Sequence, residues 1–327
     1  MKDKDFLSLT TMLRYRETLM LSKEKIDRML DAREYDDAAK VIIDCGFPDM
    51  SGMSAGEIEA TLQKRRSDVF YELGNNENSR GLTDLFRMKY DYHNVKVLVK
   101  SAGTKENASS MLSSSGRLSA EEISEAYLTG ERGDLPPPIA AAIESASGIL
   151  SRTGNPQLSD IEIDKTYFEE LLTLAESLDD GFITDYIKLL IDSANIRIVV
   201  RSMRTGRDAD FLHTALIPGG SVGITEIDAA FEADPLLPFA GGSLHEAVQL
   251  GSEAIKGGTQ TMFELACDNT ALKYFDGTIF ISFGPAPVFA YLAKLEWEIT
   301  AVRMILTGKL TGISPDVIRE RLRDCHV

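Results

Sequence analysis

Between Phe182 and Met203 apolar residues fall at 183, 187, 190, 194 and 198, and again at 182, 186, 189, 196, 199 and 203. Two apolar stripes at helical spacing predict a long helix covered on both sides. At about 100° per residue, Asp185, Lys188, Asp192 and Asn195 share one further stripe, and Arg197, Arg201 and Arg204 lie roughly opposite. The same grammar stands 101 residues earlier. "YDYHNVKVLVKS" from Tyr90 sets Asp91, Asn94, Lys96 and Lys100 where "IDSANIRIVVRS" from Ile191 sets Asp192, Asn195, Arg197 and Arg201. "EWEITAVRMILTG" from Glu296 repeats it loosely, with Glu298 and Arg303 in matching places and Ala301 where the amide stood.

Helix openings repeat too. "MSAGEIEATL" from Met53, "LSAEEISEAY" from Leu118, "GITEIDAAF" from Gly223 and "ISPDVIRERL" from Ile313 are related. Ser54 with Glu57 and Ser119 with Glu122 have capping-box spacing, Thr225 with Asp228 is a looser version, and Ser314 precedes a proline suited to a first helical turn. The chain therefore reads as a long helix, a loop and a capped helix, repeated at about 100 residues. The N-terminal part predicts two helices from Phe6 to about Cys45 and then the Ser54 helix, closed by Gly74. Breaks are expected at "GERGDLPPP", "SRTGNPQ" and "EADPLLPFAGGS". "GTIFISF" from Gly277 is the one candidate for a short strand. The expected fold class is all-α.

Composition narrows the function. The chain has 327 residues, 43% of them hydrophobic, enough for real cores. Its net charge of −16 argues against a duplex nucleic-acid binder. The apolar run from Thr278 is shorter than a membrane span needs and carries Gly284, Pro285 and Pro287. The N-terminus lacks the apolar core of a signal peptide, which predicts a cytoplasmic protein. Cys45, Cys267 and Cys325 are too scattered for a disulfide framework or a zinc knuckle, and Cys325 beside His326 makes no metal pair, so no metal and no cofactor are expected. "GGSVG" at Gly219 to Gly223 matches G-x-S-x-G, with His213 and His245 as conceivable bases. That elbow needs a strand before its serine, and the repeat sets Ser221 against Arg117 in an interhelical loop, so catalysis is not expected. His93 reads as a packing residue. "TGKL" at Thr307 lacks the glycine and hydroxyl of a phosphate loop.

"FGPAPVFAYLAKLEWEITAVRMILTGKLTGISPDVIRERLRDCHV", from Phe283 onward, resembles the closing signature of the C subunit of V/A-type rotary ATPases, known in eukaryotes as the d subunit. The likeness rests on an F-x-Y helix entry, E-x-E-I, I-L-x-G-K, a Gly-Ile turn and R-E-R-L, with D-x-x-N-I-R at Asp192 to Arg197 beside them. Leu295, Ala301 and His326 depart from the usual lysine, asparagine and tyrosine, which predicts a weakened polar contact on the last long helix. The resemblance implies a non-catalytic adaptor. It implies one family-wide domain over 1–327, with three similar helical subdomains (1–76 with 286–327, 77–165 and 166–285) around a pseudo-threefold axis in a funnel. It also implies a place on the cytoplasmic face of the membrane between shaft subunits D and F and the rotor ring of proteolipid subunits. Torque must cross such a piece without slack, which favours packed helices. A generic helical-repeat scaffold is the alternative, but repeats that begin and end near the chain termini predict closure rather than an open stack.

Two interface candidates follow. One is the basic stripe Arg197, Arg201, Arg204 with Lys96 and Lys100; the plainer expectation pairs it with carboxylates of the capped helices, such as Glu121, Glu122 or Asp228, or leaves it in solvent. The other is loops, Gly219, Gly220 and Ser221 in "PGGSVG" and the segment "SAGTKEN" from Ser101. Asp91 with Asn94 and Asp192 with Asn195 are expected to bond adjacent helices internally, because buried polar groups persist only when satisfied.

Overall fold

The computed structural model describes residues 3–104 and 108–324; the end of the "SAGTKEN" segment at 105–107 and the expectations for Cys325 and His326 lie outside the described residues. In chain order the α-helices are α1 (Leu7–Leu19), α2 (Lys23–Asp31), α3 (Tyr35–Val41), α4 (Ala55–Gly74), α5 (Arg80–Thr104), α6 (Ala120–Thr129), α7 (Pro137–Thr153), α8 (Pro156–Ser177), α9 (Gly181–Thr205), α10 (Ala209–Ala215), α11 (Ile224–Ala230), α12 (His245–Ile255), α13 (Gln260–Lys273), α14 (Pro285–Leu310) and α15 (Pro315–Arg319). No β-strand occurs among the described residues, as the all-α reading expects. Among those residues no helix is long and apolar enough to cross a membrane.

The chain divides into two compact units, Met1–Leu82 with Ala240–Val327, and Thr83–Phe239. In the first, α14 packs on α4, α1 and α3. Eighteen of its residues are buried, from Pro285 through Leu292 and Ile299 to Gly308, so this helix is apolar nearly all round. That is the sequence signature of a helix enclosed by others. In the second unit α7 pairs with α8, and α8 packs on α9. Its core is aliphatic, with Ile139, Ile143, Ile163, Leu171, Ile187, Ile196 and Val199 buried.

Caps bound the helices largely as the sequence predicts. Ser54 and Ser119 make complete capping boxes with Glu57 and Glu122, and Ser314 accepts from Val317 N–H. Four expectations are corrected. Thr225 lies inside α11, whose cap is Gly223, and Asp228 is engaged by His213 Nδ1 at 2.6 Å. Gly74 is the last residue of α4, and the chain leaves through Asn75 at φ −82°, so no left-handed glycine closes that helix. The region from Phe6 to Cys45 holds three α-helices and a 3-10 turn rather than two helices, because Ser22 caps a separate α2. Asp276–Phe280, which overlaps the first four residues of the candidate strand, is a 3-10 turn. Its backbone is satisfied locally, by Thr278 N–H to Phe275 O at 2.9 Å and Ile281 N–H to Thr278 O at 3.0 Å, with no neighbouring strand involved.

Candidate functional site

The D-x-x-N pairs of α5 and α9 are buried joints. Asn94 donates from Nδ2 to Ser113 O at 2.9 Å and accepts from Ser113 N–H at Oδ1 at 2.8 Å. Asn195 makes the same double bond with Ile217, at 2.8 Å in each direction. Each amide thus clamps one residue of the segment between its long helix and the capped helix that follows, Ser113 just after a 3-10 turn and Ile217 just after α10. The acid one turn earlier holds the next part of that segment. Asp91 accepts from Leu118 N–H at 3.2 Å and from Arg117 Nε at 2.7 Å, while Asp192 accepts from Val222 N–H and Ser221 N–H, both at 3.1 Å. Directly after Leu118 and Val222 come the caps of α6 and α11, Ser119 and Gly223.

Close approach explains a glycine in each loop. A Cβ on Gly116 would lie 2.3 Å from Asp91 Oδ1, and one on Gly220 would lie 2.2 Å from Asp192 Oδ1. Gly116 and Gly220 are 104 residues apart, as are Ser113 and Ile217, so the repeat legible in sequence recurs as the same hydrogen-bonded joint.

A third joint uses Glu298, which the repeat sets in the place of Asp192, but its partner lies where the sequence pattern does not place it. Glu298, fully buried on α14, accepts from Leu21 N–H at 2.9 Å, and Ser22 directly follows as the cap of α2. Leu21, Leu118 and Val222 thus hold one position, each ahead of a cap and five residues before a buried isoleucine, Ile26, Ile123 or Ile227. The openings at Ser54 and Ser314 are helix caps of another kind. The N–H ahead of each bonds locally, Met53 to Met50 O and Ile313 to Gly308 O. "LSKEKI" from Leu21 against "LSAEEI" from Leu118 was the available signal; Lys25 stands where a capping box wants a carboxylate. Ala301, which replaces the amide, is buried and makes no clamp of its own. Arg65 joins Glu298 at 3.3 Å, donates to Gly46 O and Cys45 O, and covers the Phe47 ring at 3.9 Å.

Burial pushes the carboxyls of Asp91, Asp192 and Glu298 above their usual range. Arg117 and backbone N–H groups oppose the rise at Asp91, the Val222 and Ser221 N–H groups at Asp192, and Arg65 with Leu21 N–H at Glu298. The joints are therefore stabilised by directed hydrogen bonds and opposed by desolvation. Arg117 also reaches Glu170 on α8 at 2.8 Å, and Tyr92 donates to the same carboxylate at 2.7 Å.

The basic stripe divides between carboxylate pairing and exposure, as the plainer reading expects, but the acids it meets are others. Lys96 and Lys100 pair with Asp164 and Asp160 of α8, each at 2.6 Å, instead of with Glu121, Glu122 or Asp228. The cause is that α8, rather than the capped helix, carries acids opposite that face. Arg197 bonds Ser193 on its own helix at 2.7 Å, Arg303 pairs with Glu59 of α4 at 2.6 Å, and Arg201 and Arg204 are exposed. Gly219 has φ +95°, and a Cβ there would lie 2.6 Å from Leu172 Cδ2, so this loop is shaped by α8 and α9. Ser221 is exposed between α10 and α11, and no strand precedes it. His93 is exposed, with Nε2 3.0 Å from Met111 O.

Fold and joints together define an all-helical, internally repeated protein in which a buried carboxylate fastens each of α5, α9 and α14 to the residue ahead of a short helix. The chain belongs to the ATP synthase (C/AC39) subunit family, whose profile matches residues 9–321. It is 24% identical to the C subunit of the V-type sodium ATPase of Enterococcus hirae over 337 aligned residues, covering 98% of this chain and 99% of the relative. It is 26% identical to the C subunit of the A-type ATP synthase of Haloquadratum walsbyi over 336 residues, covering 94% and 91%. The A-type counterpart from Thermococcus kodakarensis is 24% identical over 333 residues, covering 94% and 87%.

Proposed function

We propose that the chain is a non-catalytic central-stalk adaptor of a V/A-type rotary ATPase, peripheral on the cytoplasmic face of the membrane. It couples shaft subunits D and F to the rotor ring of proteolipid subunits and so serves proton or sodium transport. The carrying observation is the family match across residues 9–321. The joint made three times, at Asp91, Asp192 and Glu298, supports a body of three similar helical subdomains set as a funnel about a pseudo-threefold axis. Buried two-bond clamps suit a part that must turn without internal slip, since packed and hydrogen-bonded helices deform little. Of the candidate contact residues, Arg201, Arg204, Gly219 and Ser221 are exposed, and Lys96 and Lys100 pair with carboxylates of α8.

The test is a rotary assembly in vesicles, prepared with and without this protein. Without it, the catalytic head continues to hydrolyse ATP while ion uptake is lost. Uptake at the full rate in its absence would remove the adaptor role.

A further inference from the structure

Helix α1 turns its charges sideways and inward. Arg14 donates to Glu17 Oε2 at 2.6 Å, Arg16 pairs with Glu72 at 2.8 Å, and buried Glu17 receives Lys294 at 3.1 Å. The exposed residues of α1 are Leu7, Ser8, Thr11, Tyr15, Thr18 and Leu19. None is charged, in a chain of net charge −16. Leu7, Thr11, Tyr15 and Leu19 follow one another at four-residue intervals, a row that climbs about 18 Å along the helix while winding about 120° round it. Leu7 is 57% exposed and Tyr15 66%.

The turn before α14 continues this surface. Arg14 Nη2 donates to the carbonyls of Thr278 and Ile281, which fixes the turn's backbone against α1. Thr278 is buried, and the side chains between the two fixed carbonyls point outward: Ile279 is 69% exposed and Phe280 88%. A large ring held out on a clamped backbone is the usual form of an interface anchor, because little freedom remains to be lost on binding. Apolar exposure of this kind marks an interaction site. In the turns that lead into α1 and α14, exposed Asp3, Asp5 and Asp276 outnumber the one exposed cation, Lys4, and Asp3 lies against Gly284.

We infer that the outer face of α1 and the Ile279–Phe280 turn form one docking surface for a partner protein that offers an apolar pocket bordered by lysine or arginine. Charge selects this occupant. Acidic residues at the edge repel an anionic bilayer. A second copy of the chain, meeting by the same patch, would set like charges against each other. The inference rests on the proposed function, in that the pocket belongs to another member of the rotary assembly.

The test measures binding of the full chain to two purified probes from the same assembly, the D–F pair and the detergent-solubilised rotor ring. Phe280→Asp and Tyr15→Asp are compared with Leu128→Asp, an equally exposed leucine on α6. The expected result is that the first two weaken binding to the same probe by about tenfold or more while Leu128→Asp leaves it unchanged. Far-ultraviolet spectra verify the fold of each variant. Wild-type affinity for both probes in Phe280→Asp and Tyr15→Asp overturns the docking surface, as does equal weakening by Leu128→Asp. Phosphatidylglycerol vesicles serve as a third probe, and a loss of binding in the variants seen there alone would make the occupant a bilayer and overturn the inference. Wild-type chain that binds neither probe overturns the proposed function itself.

Discussion

Glu298 of α14 accepts a 2.9 Å hydrogen bond from the Leu21 backbone, a residue 277 positions earlier in the chain. The bond makes the N-terminal segment and the last long helix parts of one joint, the counterpart of Asp91 with Leu118 and of Asp192 with Val222.

Its protonation has a definite sign. Burial raises the Glu298 carboxyl above its usual value, so across the interval between those values the folded chain binds more protons than the unfolded one. Stability from this group is then greatest below the unfolded value and is lost as pH rises through the folded one. Glu298→Gln keeps an acceptor for Leu21 N–H and removes the titration. Urea unfolding of both proteins is expected to show the variant gaining on wild type as pH rises above the ordinary carboxylate range. A variant that falls further behind as pH rises would mean that Arg65, not burial, sets the carboxyl.

The amide clamp is expected to be a large local contributor. Asn195→Ala leaves the N–H and C=O of buried Ile217 without partners, at an expected cost of about 2–4 kcal/mol. Asp192→Asn turns one acceptor into a donor facing a backbone N–H and is expected to cost about 1–3 kcal/mol. Chemical denaturation reads both.

Glycine substitutions separate close approach from flexibility. Gly220→Ala drives a methyl into Asp192 and is expected to destabilise by about 1–3 kcal/mol. Gly56→Ala, in the first turn of α4 with nothing within 4 Å of the added carbon, is expected to be neutral or stabilising by up to about 1 kcal/mol. Thermal unfolding of the pair gives shifts of opposite sign or leaves Gly56→Ala unmoved.

What sequence shows depends on whether a signal is local. The D-x-x-N stripe and the Ser119 capping box lie within single helices, so their spacing declares them. The joint at Glu298 and Leu21 joins positions far apart in the chain, and Lys25 hides the likeness of the Ser22 cap to Ser119. Ser54 and Ser314 show the reverse: the same local chemistry caps helices that take no part in a joint. The strand-like "GTIFISF" misleads because its β-branched and aromatic residues suit a strand while its backbone bonds close locally, Thr278 to Phe275 and Ile281 to Thr278. The basic stripe is legible, but the partners of Lys96 and Lys100 on α8 are not, since the meeting of α5 with α8 is a tertiary fact.

The adaptor account is tested most directly by mixing this chain with the D–F pair and the solubilised rotor ring and weighing the products by native mass spectrometry. The account predicts a single complex that contains all three, formed only when this chain is present. A ring that binds D–F equally well without the chain, or a chain that takes D–F and the ring only in mutually exclusive complexes, would contradict it.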